Sequence, residues 1–558
     1  MTTSASAETS DPRSTLARRT AFATLGVLLS RFSGIFRSQV VNAVYGASTR
    51  LDAFNVALRF PSVLRDLFAE GALSAAFTKE VVAAERQGNE ELRRLVSVVC
   101  GFFLCVTGFI SLLGWYYARP IVGSVSSDSF RQRGGFELAV GCFQILVFYL
   151  PIAMISALAM SLLGVRGQTF RALIASAFFN VGTIAGAAVG GLFATAWSFE
   201  PIKGLAYGTL AGGFFQFLYQ VTPLVRAGLF PCPNLSPRAW ILYPPLRSML
   251  MMMAPRALSQ GALSLALFVN THFATAAGEG AITFITNAQV IILVPVGLFG
   301  VAAGFASLPV LSQAVQERNA EKMSVLMADS LQNAFWMSWL SLFAFALMGV
   351  PFCVVLLEHG RVTPLDSVQN AVAVSAYSIG MLFNSGSKIL MQGFYALNDV
   401  RRSVINALIY LLINATLSAL LAPRFGILGL GLSNSLSAAA DFTLNWIFLR
   451  RVAARSDLHL QALHGHQGQK LRFQILLLAI SAFVVGLSGV FAARSWWMPD
   501  SWFWHVLNVH RLPTAAFWLA ILGVLWGLTA VLLIYFFGPD ILKTHLLRVK
   551  RKLLRVVP

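Results

Sequence analysis

The chain has 558 residues, of which 57% are hydrophobic and only 12% charged, where a soluble protein carries about 25% charged residues. That balance excludes an ordinary soluble globule and points to an all-α polytopic membrane protein. The net charge of +19 follows from membrane topology, as shown below, and a nucleic-acid partner is not expected.

Residues 1–20 read as a disordered cytoplasmic tail. The stretch ARRTAF imitates a twin-arginine export signal, but the apolar run behind it is broken by Arg31 and Arg37, and many further apolar segments follow. Apolar windows of about 20 residues predict fourteen membrane helices. They lie near 22–44, 52–76, 96–118, 135–163, 172–194, 204–223, 248–274, 281–308, 332–356, 371–395, 403–422, 427–449, 473–493 and 515–537. With both termini cytoplasmic, 27 of the 42 Lys and Arg fall on inside segments and nine outside, which obeys the positive-inside rule and supports an even number of spans.

The first two spans hold most of the intramembrane charge. Arg31 and Arg37 lie in the first, and Asp52, Arg59, Arg65, Asp66 and Glu70 in LDAFNVALRFPSVLRDLFAEGALSAAF. An arginine at mid-bilayer costs about 2.5–3.5 kcal/mol on insertion scales, so these helices must face protein or a hydrated cavity. Helical phase agrees: Ser30, Ser33 and Arg37 share one face, and Asp52, Asn55, Arg59, Ser62 and Asp66 form a second polar stripe, with Pro61 a source of uncertain phase. Asp66 and Glu70, flanked by Arg65, equally suit internal pairing. Four arginines against three carboxylates leave a cationic surplus, and the planar guanidinium fork suits bidentate binding of phosphate.

Further along, Gly182, Gly186 and Gly190 in the fifth span form a close-packing stripe. Arg256 follows Pro255 in the seventh span, and Lys388 in the tenth suits snorkelling or pairing. Asp441 of the twelfth, with Asn434 and Asn445, either packs helices or holds a coupling monovalent cation. Cys100, Cys105, Cys142, Cys232 and Cys353 show no metal or disulfide spacing, and His464 and His466 lack nearby Cys or carboxylates, so no metal and no cofactor are expected. The basic tail at 539–558 is placed to lie against anionic lipid.

SRFSGIFRSQVVNAVYGASTRLDAFNVALRFPSVLRDLFAEGALSAAF resembles the N-terminal signature of the MurJ/MviN lipid II flippases, of the superfamily that also holds the MATE drug exporters and Wzx polysaccharide flippases. VPVGLFGVAAGFASLPVLS at 294–312 and QGFYALNDVRRS at 392–403 are similar to further family patterns. The resemblance implies an N-lobe at 21–225, a C-lobe at 226–450, a cytoplasmic linker at 451–472 and a lipid-tail groove at 473–538. The lobes would form a V around a central cavity lined by spans 1, 2, 7 and 8. The implied activity is movement of undecaprenyl-diphosphate-linked peptidoglycan precursor to the periplasmic leaflet of the bacterial inner membrane by alternating access, with cell-wall synthesis proteins as further partners.

By matching position, Ser30, Arg31, Arg37, Asp52, Arg65 and Glu70 occupy places where the family keeps the same residues, Arg59 stands where a cation is usual, and Arg37 and Arg65 are the expected diphosphate ligands. Two departures stand out. Arg37 is followed by Ser38 rather than Asp, and the eighth span offers Gln289 and Val290 where the family has an Asp-Arg pair. Arg256 is the expected replacement for the lost arginine. The departures keep open a paralogue acting as a scaffold, or one moving another polyprenyl-diphosphate-linked glycan. A lipid-linked transferase would want a His or paired carboxylates near a membrane face, and the span-associated His272 sits at a helix end.

Overall fold

The computed structural model describes residues 29–30, 32–68, 73–197, 200–230, 232–397, 399, 401–455, 466–496, 511–539 and 542–544. The regular structure among them is helical, as hydrocarbon demands, because a helix satisfies its own backbone groups where water cannot. In chain order the long helices are α1 (32–45), α2 (Thr49–Phe68), α3 (Ser74–Gln87), α4 (Asn89–Tyr116), α5 (Gly135–Leu146), α6 (Tyr149–Val165), α7 (Ser176–Trp197), α8 (Pro201–Arg226), α9 (Pro244–Ala277), α10 (Ala281–Pro295), α11 (Ala302–Gln316), α12 (Ala320–Leu357), α13 (Pro364–Ala396), α14 (Arg401–Phe425), α15 (Ile427–Arg455), α16 (His466–Trp496) and α17 (Arg511–Phe537). Each predicted span falls on one or more of them. Among the described residues, seven helices are long and apolar enough to cross a membrane, and eight if the bent pair α5–α6 counts as one.

Two predicted spans are broken, each beside a proline. The fourth bends by 41° between α5 and α6. Pro151 has no N–H to give the Val147 carbonyl one turn back, and that oxygen accepts instead from the Ser111 hydroxyl at 2.9 Å and the Leu150 amide at 3.2 Å. The eighth is interrupted after Pro295 by a π-helical turn, Val296–Val301, before α11 begins. The second span covers α2 and the start of α3, with 69–72 outside the described residues.

The chain forms two compact units. The first comprises residues 1–40, 60–118 and 140–257. Its core joins α3, α4 and α6 through Phe77, Leu95, Met154 and Leu162, all fully buried. Beside that core α7 and α8 meet backbone to backbone, Gly182, Gly186 and Gly190 against Gly204, Gly208 and Gly212. A Cβ on Gly186 would stand 2.5 Å from the Gly208 Cα, and one on Gly204 2.7 Å from the Gly190 Cα. Dispersion between bare helix backbones replaces the hydrophobic effect, which lipid does not supply.

The second unit comprises residues 41–59, 119–139 and 258–558. It is built around α13, whose first turn is fixed by a capping box: Thr363 Oγ1 accepts from the Asp366 amide and the Asp366 carboxylate accepts from the Thr363 amide. Most of α13 is buried between α10, α12, α15 and α16. Small residues let the neighbours in, as where Ser435 of α15 bonds both the Ala376 carbonyl and the Gly380 amide. Phe335, Phe383, Phe442 and Trp446 fill the centre. The last two helices dock on α12, Trp526 Nε1 of α17 donating to the Leu340 carbonyl and Trp339 Nε1 of α12 to Ser481 Oγ of α16.

A Gly186→Leu variant is expected to lose stability at or above the top of the ~1–3 kcal/mol range for overpacking, because the obstructing atoms are backbone. A melting midpoint in detergent that matches the wild type would contradict this contact.

Candidate functional site

In the first unit the α1 polar face packs on α7. Ser30 Oγ lies 2.6 Å from Ser176 Oγ, and Ser33 Oγ accepts from Asn180 Nδ2 at 2.8 Å while donating to the Ser30 carbonyl at 2.8 Å. One turn further on, the half-buried Arg37 places its guanidinium carbon 5.9 Å from the centre of the Phe179 ring. Arg65 of α2 and Tyr149 of α6 are its electrostatic neighbours. Arg37 and Arg65, nominated for the diphosphate, are thus brought together, two like charges held within reach of each other. Arg31 and Glu70 lie outside the described residues. Arg256 belongs to the backbone of α9 and its side chain, like that of Asp66, is outside the description.

In the second unit the α2 stripe runs along α10. Asp52 is 1% exposed and its carboxylate takes three donors: the Gly280 amide at 2.8 Å, the Thr283 amide at 2.9 Å and the Thr283 hydroxyl at 2.8 Å. It therefore caps the first turn of a helix distant in sequence, with the positive end of that helix facing the negative group. Gly280 turns the chain into α10 at φ +75, and a Cβ there would meet the Ala47 carbonyl at 2.9 Å. Asn55 Nδ2 donates to Thr283 Oγ1 at 3.3 Å. Glu279 accepts from the amide and hydroxyl of Thr49 at 2.9 and 3.0 Å. Two turns up the stripe from Asp52, Arg59 shares a small pocket with Gln289 of α10 and Asn270 of α9.

Three asparagines that periodicity did not single out complete this side. Asn42 and Asn287 exchange amide hydrogen bonds at 3.0 and 3.2 Å, and Asn287 also donates to Asn370 at 3.0 Å. All three are buried. An asparagine in a membrane helix was the available signal, since burying an amide costs free energy unless it is paired.

The α15 group divides. Asp441 accepts from Ser387 Oγ at 2.6 Å and from Asn406 Nδ2 at 2.8 Å, with the Asn445 side chain bonded to it and Lys388 as its cationic neighbour. Asn434 instead donates to Tyr410 at 3.4 Å.

Set beside known proteins, residues 41–508 match the family described as lipid II flippase MurJ. The chain belongs to the MurJ family. It is 29% identical over 425 residues to the lipid II flippase MurJ of Burkholderia cenocepacia, covering 76% of this chain and 82% of that one. A structure described as lipid II flippase MurJ in an inward closed conformation shares the fold with a TM-score of 0.64 at 20% identity, over 85% of this chain and 99% of the other. The fold extends to an inward-facing multidrug resistance MATE transporter of the MOP superfamily, with a TM-score of 0.61 at 18% identity over 77% and 96% of the two chains. MurJ proteins are transporters, so the expected all-helical MOP-type fold and a carrier rather than an enzyme both hold.

Replacing Asp52 by Ala orphans two buried amides and a hydroxyl. An unsatisfied buried donor costs ~1–3 kcal/mol, so Asp52→Ala is expected to lower the melting midpoint clearly and Asp52→Asn, which keeps one acceptor, by less. Equal midpoints for the two variants would remove the cap from the account.

Proposed function

We propose that this chain is itself a lipid II flippase: it carries undecaprenyl-diphosphate-linked disaccharide pentapeptide from the cytoplasmic to the outer leaflet of the bacterial inner membrane. The observation that carries the reading, beside the family match, is that Arg37 and Arg65 are electrostatic neighbours within the first unit. Two guanidinium groups within electrostatic reach of each other in a low-dielectric setting favour a ligand with two phosphates, and binding a diphosphate there offsets the cost of placing both cations. A drug exporter for cations would instead want carboxylates and aromatic faces in that position.

The reading takes fourteen crossings with both termini inside, lobes at 21–225 and 226–450 that open alternately to either side, and a tail groove formed by α16 and α17. Of α17 only Ala515 and Ala530 are buried, which leaves its Leu and Phe surface for acyl or polyprenyl chains. The Asp52 cap must part for α2 to move relative to α10, and the Asn42–Asn287 bonds for α1 to do so. Hydrogen bonds of about 1 kcal/mol net each are reversible fastenings.

A diphosphate leaving a cell interior that is electrically negative is driven by about 2.3 kcal/mol per charge per 100 mV, which supplies direction without a coupled ion. Asp441 is where a coupled monovalent cation would bind if one is used. Gln289 and Val290, in place of the family's Asp-Arg pair, favour a second reading in which the chain is a scaffold that contacts cell-wall synthesis proteins.

Complementation of a flippase-depleted cell separates the two. Wild type is expected to rescue growth and to move precursor between leaflets, while Arg37→Ala and Arg65→Ala each lose rescue. A scaffold leaves leaflet distribution unchanged in both variants. Arg256→Ala is expected to impair rescue if that arginine replaces the one lost from α10; undiminished rescue ends that substitution of roles.

A further inference from the structure

Little apolar surface holds α17 to the rest of the second unit, since only Ala515 and Ala530 are buried along it, and lipid supplies no hydrophobic drive for one helix to meet another. Its first residue is fastened differently. The Arg511 guanidinium forms an ion pair with Glu358, their side chains 14% and 9% exposed. Glu358 ends α12, and its second oxygen accepts from Ser367 Oγ in the first turn of α13 at 2.6 Å. One carboxylate thus joins three helices. Removing either partner from such a pair strands a charge where water reaches poorly, so the pair resists being opened from either side.

The residues directly after Glu358 grip the end of α1. The Arg361 amide donates to the Ala43 carbonyl at 2.8 Å. Gly360 lies at φ +61, where a Cβ would collide with that same carbonyl, and Gly46 lies at φ +64, where a Cβ would stand 2.9 Å from the Arg361 carbonyl. The two turns interlock backbone to backbone in conformations that only glycine adopts readily. A second route to α1 runs through α13. Asn370, one turn after Ser367, donates to the Asp366 carbonyl and accepts from Asn287, which in turn holds Asn42. Glu358 stands at the root of both routes. Three residues span at most about 10 Å, so a loop fixed at Glu358 and at Arg361 has little slack with which to absorb a shift at either end.

We propose that Arg511 and Glu358 are positioning residues that couple the start of α17 to the turn between α1 and α2. With the pair closed, the loop at 359–361 is held where it grips Ala43; when either end shifts, the other loosens. The two-state element is the interlock of the two glycine turns, which is either seated or released. By linkage the coupling runs both ways: whatever displaces the start of α17, a lipid chain along its exposed Leu and Phe surface included, favours release of the α1–α2 turn, and release of that turn frees α17. Only the meaning of this device as a closure on the outer side rests on the flippase reading, in which this end of the helices faces the outer leaflet.

Hydrogen exchange of the full-length protein in phosphatidylcholine nanodiscs, read by mass spectrometry, tests the coupling independently of transport, so its failure leaves the flippase reading untouched. In Arg511→Gln, which strands the Glu358 carboxylate, exchange at 357–363 and at 41–49 is expected to quicken by about tenfold or more, within the usual range of coupling between sites. The buried stretch of α13 at 371–383 is expected to keep its wild-type rate. Arg511→Lys, which retains the charge without the planar fork, is expected to show a smaller rise, and it carries the test if the Gln variant does not fold. Reciprocally, Gly360→Ala, which strikes the Ala43 carbonyl, is expected to quicken exchange at 515–520 in α17. Rates at 41–49 that stay at the wild-type value in both Arg511 variants, or that rise only together with 371–383 as general loosening would make them, overturn the proposal. So does exchange in α17 that ignores Gly360→Ala.

Discussion

A charge placed in hydrocarbon must find a partner, and that constraint organises this molecule. Asp52 meets it in full with two amides and a hydroxyl from the first turn of α10. Arg37 meets it with the face of Phe179 and with Tyr149, and has a second cation, Arg65, as a neighbour. Satisfied charges fix helices in place, and the neighbouring cations Arg37 and Arg65 are where the proposed function seats an anionic ligand.

The same logic explains the distribution of small and polar residues elsewhere. The facing stripes of α7 and α8 are glycine rather than charged residues, and they bring the backbones into contact. On α13, serines and glycines let four helices pack closely while bonding their own side chains to neighbouring backbone, as Ser435 does. Where Pro151 and Pro295 break the ladder, a hydroxyl in one case and a π-helical turn in the other absorb the disruption.

The fold was legible in the sequence because apolar windows, loop charge and the N-terminal signature are strong signals that act over whole segments. The site was legible in part. Helical phase put Ser30, Ser33 and Arg37 on one face and Asp52, Asn55 and Arg59 on another, and the structure keeps both groupings. What phase cannot say is which neighbour a face meets. The serines bond α7 rather than opening outward, and Asp52 caps a helix more than 220 residues away. Asn42, Asn287 and Asn370 are not legible in this way, because a lone asparagine on an apolar helix gains meaning only when its partner is known.

Native mass spectrometry of the purified protein with co-isolated lipid tests the central claim most directly. The account predicts that the wild type retains a polyprenyl-diphosphate glycolipid, whose mass names the headgroup, and that an Arg37→Gln, Arg65→Gln double variant, folded by its melting curve, retains none. Equal retention by both proteins, or phospholipid alone in the wild type, would contradict it.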